Sequence, residues 1–240
     1  KYFDPKMGGQ DNLKNTIKAI RYAVKEKAKI INYSGGGLDY SAEEYEAVKL
    51  AHDRGILFIA AAGNEKSNSD FQPYYPANYP LDNIISVTAI NPVGKVLQSS
   101  NFGERSVHIA APGESIFSTL PNGKYGIMTG TSQATAFVSG VAALVFANNG
   151  EFDYLQVRKQ IVATADQSQD LFGKAQSAGI LNSWAALAIQ PGIPASGVVI
   201  GSGERIANPS RQAARNVPIS QQLNQLGGLL DVLRAPAQRN

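Results

Sequence analysis

A parallel α/β sheet covered by helices on both faces, with an extended C-terminal tail, is the fold class this sequence predicts. Three observations predict it. Short apolar segments alternate with stretches of helical periodicity, the apolar segments are continuous instead of alternating with polar residues, and all sustained periodicity ends near Gln190.

Leu13, Ile17, Ile20 and Val24 fall at helical spacing, which predicts a helix over Asn12 to Ala28. The segment from Lys29 to Ser34 is a short apolar strand ending in Gly35-Gly36-Gly37. Ser41 followed by Glu44 reads as a capping box. Tyr45, Val48 and Ala51 supply the inner face of the helix it opens, and Gly55 stops that helix. Ile56 to Ala61 then repeats the buried strand. A Pro- and Tyr-rich connection runs from Glu65 to Pro80, and strands are predicted at Ile84 to Ala89 and Val107 to Ala111. Thr131 to Asn148 reads as a long helix with almost no polar face, expected to be buried in the domain centre. Tyr154 to Ala165 reads as an amphipathic helix, and Asn182 caps a last short one running to Ile189.

Two regions follow, 1–190 as the α/β unit and 191–240 as an arm. Gln190 to Pro218 is rich in Gly, Pro, Ser and Ala. Ile219, Leu223, Leu226, Leu229, Leu230 and Leu233 could form a short helix near 219–234, weakened by Gly227-Gly228. The arm reads either as a tail docking on its own domain or as a partner-binding helix.

Composition narrows the function classes. From Gln190 onward five arginines face only Glu204 and Asp231, so the net charge of +3 resides there and the body is neutral. A neutral body argues against a nucleic-acid footprint. The absence of cysteine excludes disulfides, thiolate metal sites and a Cys nucleophile. No apolar run approaches membrane-spanning length. The chain begins at Lys1 within what reads as an ongoing fold, so a targeting segment would be expected upstream.

At Gly130-Thr131-Ser132-Gln133-Ala134 a small turn delivers a serine to the first turn of a buried helix. There, unpaired N–H groups and the positive end of the dipole favour an oxyanion. That is what acyl transfer needs, although a serine at a helix start is often only an N-cap. Ala60-Ala61-Ala62-Gly63-Asn64 ends a buried strand in tiny residues and one amide, a pocket with a donor, although Gly-Asn is also a common turn. Ser34-Gly35-Gly36 ends another strand with exposed backbone against which an extended peptide could pair.

These segments together resemble the subtilisin-like serine proteases, along Asp11 to Gln190. Matching segments are Ile31-Asn32-Tyr33-Ser34-Gly35-Gly36, Ala61-Ala62-Gly63-Asn64, Tyr75-Pro76-Ala77-Asn78-Tyr79-Pro80, Ala111-Pro112-Gly113-Glu114-Ser115-Ile116, and Gly130-Thr131-Ser132-Gln133-Ala134 with Gly140. The resemblance implies Ser132 as nucleophile, with its own N–H and the Asn64 amide as the oxyanion hole. It implies that Ser34, Gly35 and Gly36 pair with the substrate backbone. It also implies that Ala61, Ala62 and Gly63 line the pocket for the side chain before the scissile bond, a roomy apolar pocket suited to large uncharged residues.

In this family the triad runs Asp, His, Ser, and the Asp and His lie before the helix at Asn12 to Ala28. The chain is therefore expected to be the C-terminal part of the catalytic domain, inactive alone, needing Asp and His from a separate N-terminal fragment. His52 reads as a solvated helix residue and His108 as structural, and Asp4 lacks the family's surroundings for a catalytic Asp. Gln133 stands where the family has Met, and Ala136-Phe137 where it has Pro-His. The activity implied is an endopeptidase acting on proteins or peptides, extracellular or periplasmic, sometimes held by an inhibitory propeptide. It requires no cofactor; structural calcium near the carbonyls of Ala77 and Tyr79 is optional. The alternative is a catalytically silent binding or regulatory module on the same fold.

Overall fold

The computed structural model describes Asp4 and residues 6–188. The chain divides into two units, Lys1–Pro191 and Gly192–Asn240, and every described residue falls in the first. The arm predicted for 191–240 and its helix near 219–234 lie outside the described residues.

The order of elements is α1 (Gly9–Lys25), β1 (Ile30–Tyr33), α2 (Ala42–Asp53), β2 (Leu57–Ala61), β3 (Ile84–Ile90), β4 (Ile109–Pro112), β5 (Ile116–Leu120), β6 (Lys124–Met128), α3 (Thr131–Asn148), α4 (Tyr154–Ala163), β7 (Asp166–Gln167), β8 (Gly179–Ile180) and α5 (Ser183–Ala188). Six strands form one sheet in the order β1-β2-β3-β4-β8-β7. β1 to β4 and β8 pair in parallel, and β7 closes the far edge antiparallel to β8. β2 and β3 are buried along their whole length. Strands buried on both faces need apolar residues at every position, which is why they read as continuous runs.

Two cores lie on the two faces. Ile17, Ile20 and Val24 of α1 and Ala47, Val48 and Ala51 of α2 pack with Phe58, Ala60 and Ile84. Ala134, Val138, Val141, Ala142 and Val145 of α3 and Val157 and Ile161 of α4 pack with Leu57, Ile59, Ile85, Val87 and Ile109. The odd and even positions of β2 thus serve opposite layers, as the two-residue period of a strand requires.

Three expectations are corrected, and one hairpin is added. α3 is not buried all round: Ala136, Phe137, Gly140, Ala143 and Ala147 are exposed along one side, so its lack of a polar face leaves an apolar stripe at the surface. Ser41 caps α2 by accepting from Glu44 N–H at 3.2 Å, but Glu44 does not complete a capping box. Its carboxylate is buried and instead accepts from the Tyr79 and Tyr33 hydroxyls at 3.0 and 3.3 Å. Burial raises the Glu44 pKa, and those two hydrogen bonds oppose the rise. His52 is not simply solvated: its ring nitrogens lie 2.9 Å from Asp53 and from Asp82. Finally, β5 and β6 form an antiparallel hairpin that the sequence reading passed over. The cap predicted at Asn182 is present, its Oδ1 accepting from Ala185 N–H at 2.8 Å.

His108, just before β4, is structural. Its Nδ1 accepts the Ser86 N–H at 2.8 Å, which requires the neutral ring. Burial, with a smaller contribution from the Arg158 charge, pushes its pKa down to about 3. The unfolded chain, with an ordinary pKa of about 6.5, therefore takes up the proton first. The stability this residue contributes is present above pH 6.5 and drains away as pH falls toward 3. His108 keeps a little solvent contact, which holds its share of the loss between pH 7 and pH 5 to about 1–2 kcal/mol. His108→Asn, whose amide oxygen can accept the same N–H, should lose that much less over the interval in urea unfolding.

Candidate active site

The carboxyl ends of β1 and β2 and the amino end of α3 converge on one spot. Helix geometry leaves the first N–H groups of α3 without intrahelical partners, and its N-cap, Gly130, has no side chain to serve them. Asn64 supplies the cap from the end of β2: its Oδ1 accepts from Thr131 N–H at 3.0 Å and from Thr131 Oγ1 at 3.3 Å. A backbone N–H can only donate, so the oxygen of the amide must face Thr131 and Nδ2 must point the other way. The Ser132 N–H, next along the first turn, has no hydrogen-bond partner among the described residues. Two donors, Asn64 Nδ2 and Ser132 N–H, are thereby left for an oxyanion at the positive end of α3.

Ser132 and Ser34 exchange hydrogen bonds. Ser132 Oγ donates to the Ser34 carbonyl at 3.0 Å, and Ser34 Oγ donates to the Ser132 carbonyl at 2.9 Å. About two turns further on, Ser139 Oγ donates to Asn32 Oδ1 at 2.7 Å. These bonds stitch the end of β1 to α3 and fix the half-buried Ser132. The partner of the Ser132 hydroxyl proton is therefore a carbonyl, a group too weakly basic to take it.

Gly130 is the pivot. Its φ and ψ of 152° and 175° lie in a region only glycine adopts readily. Its N–H donates to the Gly113 carbonyl at 2.8 Å, which ties the Ala-Pro-Gly end of β4 to the serine turn. A Cβ here would stand 3.3 Å from Asn64 Oδ1.

The Gly35-Gly36 segment follows the end of β1. Among the described residues its backbone groups have no hydrogen-bond partner, while Gly37 pairs with Tyr75, whose carbonyl oxygen a Cβ on Gly36 would meet. The second wall differs from expectation. Ala62 packs inward against Val107 and Ala175, and the room expected beside Gly63 is taken: the ring of Tyr74 lies between Gly36 and Gly63. Asn101, fully buried, shapes this wall. Its Oδ1 accepts from Glu65 and Ser67 N–H, its Nδ2 donates to the Ala62 carbonyl and Glu65 Oε2, and its own N–H donates to the Gly63 carbonyl. Neither Tyr74 nor Asn101 was marked by the sequence reading. Both lie in polar or aromatic loops without periodicity, and only the close approach required at Gly63 points to them.

The two histidines do not reach Ser132, being bonded at the Asp53–Asp82 and Ser86 sites above. Asp4 has its backbone bonded to Asn12. Among the described residues no group of three or more His, Cys, Asp or Glu could hold a metal ion, and no helix is long and apolar enough to cross a membrane.

A serine at a helix amino end thus stands beside an amide at the carboxyl edge of a parallel sheet. Residues 3–183 match the model of the subtilase family, Peptidase_S8, and the chain belongs to that family. The major intracellular serine protease of Bacillus subtilis (strain 168) is 42% identical over 131 residues, 54% of this chain and 40% of the relative. The subtilisin of Bacillus pumilus is 38% identical over 173 residues, 71% of this chain and 60% of the relative. Subtilisin-like protease 2 of Plasmodium falciparum (isolate 3D7) is 39% identical over 137 residues, 55% of this chain but 10% of the relative. The chain thus spans between 10% and 60% of the length of these relatives. Among solved structures, the prenylagaramide maturation protease PagA superposes with a TM-score of 0.64 at 31% identity, covering 78% of this chain and 69% of that one. The patellamide maturation protease PatA gives 0.63 at 34%, covering 72% and 67%.

Gly130→Ala should force the turn out of its glycine-only conformation and press on the Asn64 cap. A destabilisation of about 1–3 kcal/mol is expected in urea unfolding.

Proposed function

We propose that this chain is the nucleophile-bearing part of a serine endopeptidase, which hydrolyses peptide bonds through an acyl-enzyme on Ser132. A separate N-terminal segment of the same domain supplies the His that takes the serine proton and the Asp that orients the His. The observation that carries the reading is an unpartnered Ser132 N–H at the start of α3 beside an Asn64 amide whose oxygen is taken by Thr131, which leaves its Nδ2 as a second donor.

In the first step Ser132 Oγ attacks the substrate carbonyl carbon while its proton passes to the imidazole. The carbonyl oxygen becomes an oxyanion held by Ser132 N–H and Asn64 Nδ2. Collapse of the tetrahedral species breaks the C–N bond, and the imidazolium gives its proton to the departing amine. Water then attacks the acyl-serine by the same route in reverse, releasing the acid and restoring the hydroxyl. Before the base arrives the serine proton rests on the Ser34 carbonyl. The unpartnered backbone of Gly35 and Gly36 supports pairing with an extended substrate.

Two features support completion by another segment. β1 is an edge strand of the sheet, and beside it the side of α3 bearing Ala136, Phe137 and Gly140 is exposed and apolar, Phe137 at 43%. Protein or peptide substrates, secretion to an extracellular or periplasmic space, and restraint by an inhibitory propeptide belong to the same proposal. It requires no cofactor, and any calcium bound near Ala77 and Tyr79 would serve structure alone.

Native full-length protein should hydrolyse a peptide ester with a burst of about one equivalent, and Ser132→Ala should abolish both burst and turnover. Asn64→Ala should lower turnover by about 10²–10³, a magnitude taken from the family's own oxyanion amide and not from this structure. A folded native protein with neither burst nor turnover would instead favour the silent binding module.

A further inference from the structure

We propose that Tyr74 closes the side pocket beside Ser132, so that the enzyme accepts only a small side chain, Gly, Ala or Ser, immediately before the scissile bond. This rests on the hydrolase reading above and reverses the roomy pocket expected from Ala61, Ala62 and Gly63.

The two walls of the substrate cleft are the ends of β1 and β2, and both come down to a glycine with positive φ, Gly36 at 151° and Gly63 at 103°. A Cβ on Gly36 would run into Tyr74 Cε1 and stand 3.0 Å from Cζ. A Cβ on Gly63 would stand 2.8 Å from Tyr74 Cδ2. Cε1 and Cδ2 are opposite corners of one ring, so the ring spans the gap from wall to wall. A Cβ at Gly36 would also meet the Tyr75 carbonyl oxygen, and one at Gly63 would meet Glu65 Oε2 and Asn101 Nδ2 before the ring, so both glycines sit where ring and neighbours leave no room for a side chain. Tyr74 is only 8% exposed.

The plug is anchored. Tyr74 N–H donates to Asn78 Oδ1 at 3.2 Å, and its carbonyl accepts from Asn78 N–H at 2.9 Å. The next residue, Tyr75, exchanges two backbone hydrogen bonds with Gly37 at 2.8 and 2.9 Å. These bonds fix the backbone that carries the ring, so the loop cannot shift to withdraw it without breaking its contact with the end of β1. Burial, with the Glu65 and Glu44 carboxylates behind it, pushes the phenol pKa up to about 12, so the ring stays neutral and has no charge to draw it into water. A large side chain would have to overlap the ring, whereas a methyl or hydroxymethyl group stops short of it.

The test uses native full-length protein and peptide substrates that differ only in the residue before the scissile bond: Gly, Ala, Ser, Leu, Phe and Lys. Active serine is first counted with a small fluorophosphonate, which has no side chain for that pocket. With labelling established, kcat/KM for Ala should exceed that for Phe or Leu by about 10²-fold or more, beyond what a methylene or two in an open pocket gives. Tyr74→Gly should raise the Phe-to-Ala ratio of kcat/KM by at least about 10-fold, with kcat/KM expressed per active serine counted by fluorophosphonate. If Tyr74→Gly fails to fold by thermal melting, Tyr74→Ala and the wild-type ratio still decide. Labelled wild-type protein that cleaves after Phe or Lys as fast as after Ala would overturn the proposal. Absence of labelling would overturn the hydrolase reading beneath it.

Discussion

The hydrogen bond from Thr131 N–H to Asn64 Oδ1, 3.0 Å long across 67 residues of sequence, organises the amino end of α3. A long, nearly all-apolar helix begins at a glycine that offers it no cap, and its first donor is met by an amide arriving from β2. That single bond caps the helix and fixes which way the amide turns. The reciprocal Ser34–Ser132 pair adds β1 to the same junction. Stability and the proposed chemistry are tied together here, because loosening the cap would move Asn64 and Ser132 apart.

Much of this was legible in the amino-acid pattern, for identifiable reasons. Buried parallel strands must be apolar on both faces, so β2 and β3 announced themselves as continuous runs. α1 and α2 showed the three-to-four spacing of a helix with one buried side. Ser132, Asn64 and Ser34 stood at the ends of those elements in small-residue company, where a family resemblance could be checked residue by residue, and the structure brings all three together.

What escaped was set by contacts distant in sequence. Ser41 and Glu44 have capping-box spacing, but the Glu44 carboxylate finds the Tyr79 and Tyr33 hydroxyls, which a local pattern cannot foresee. α3 lacks a polar face, which usually signals full burial, yet Ala136, Phe137 and Gly140 lie at the surface beside the edge strand β1. Tyr74 and Asn101 sit in loops without a period, and their importance depends on glycines 11 and 38 or more residues away admitting them to close contact. The small residues Ala61 to Gly63 suggested an empty pocket. The same smallness in fact accommodates an aromatic ring.

In the proposed reading Ser132 has its oxyanion donors but lacks an effective proton acceptor. Its hydroxyl is held in place, and the group facing its proton is the Ser34 carbonyl. The central claim is that a base brought by a separate N-terminal segment is what remains to be added. The most direct measurement is the rate of fluorophosphonate labelling of Ser132 in the purified chain, before and after addition of the N-terminal segment of its native domain. The account predicts negligible labelling of the chain alone and a rise of at least about 10³-fold in the complex. Rapid labelling without the segment, or none in a folded complex, would contradict it.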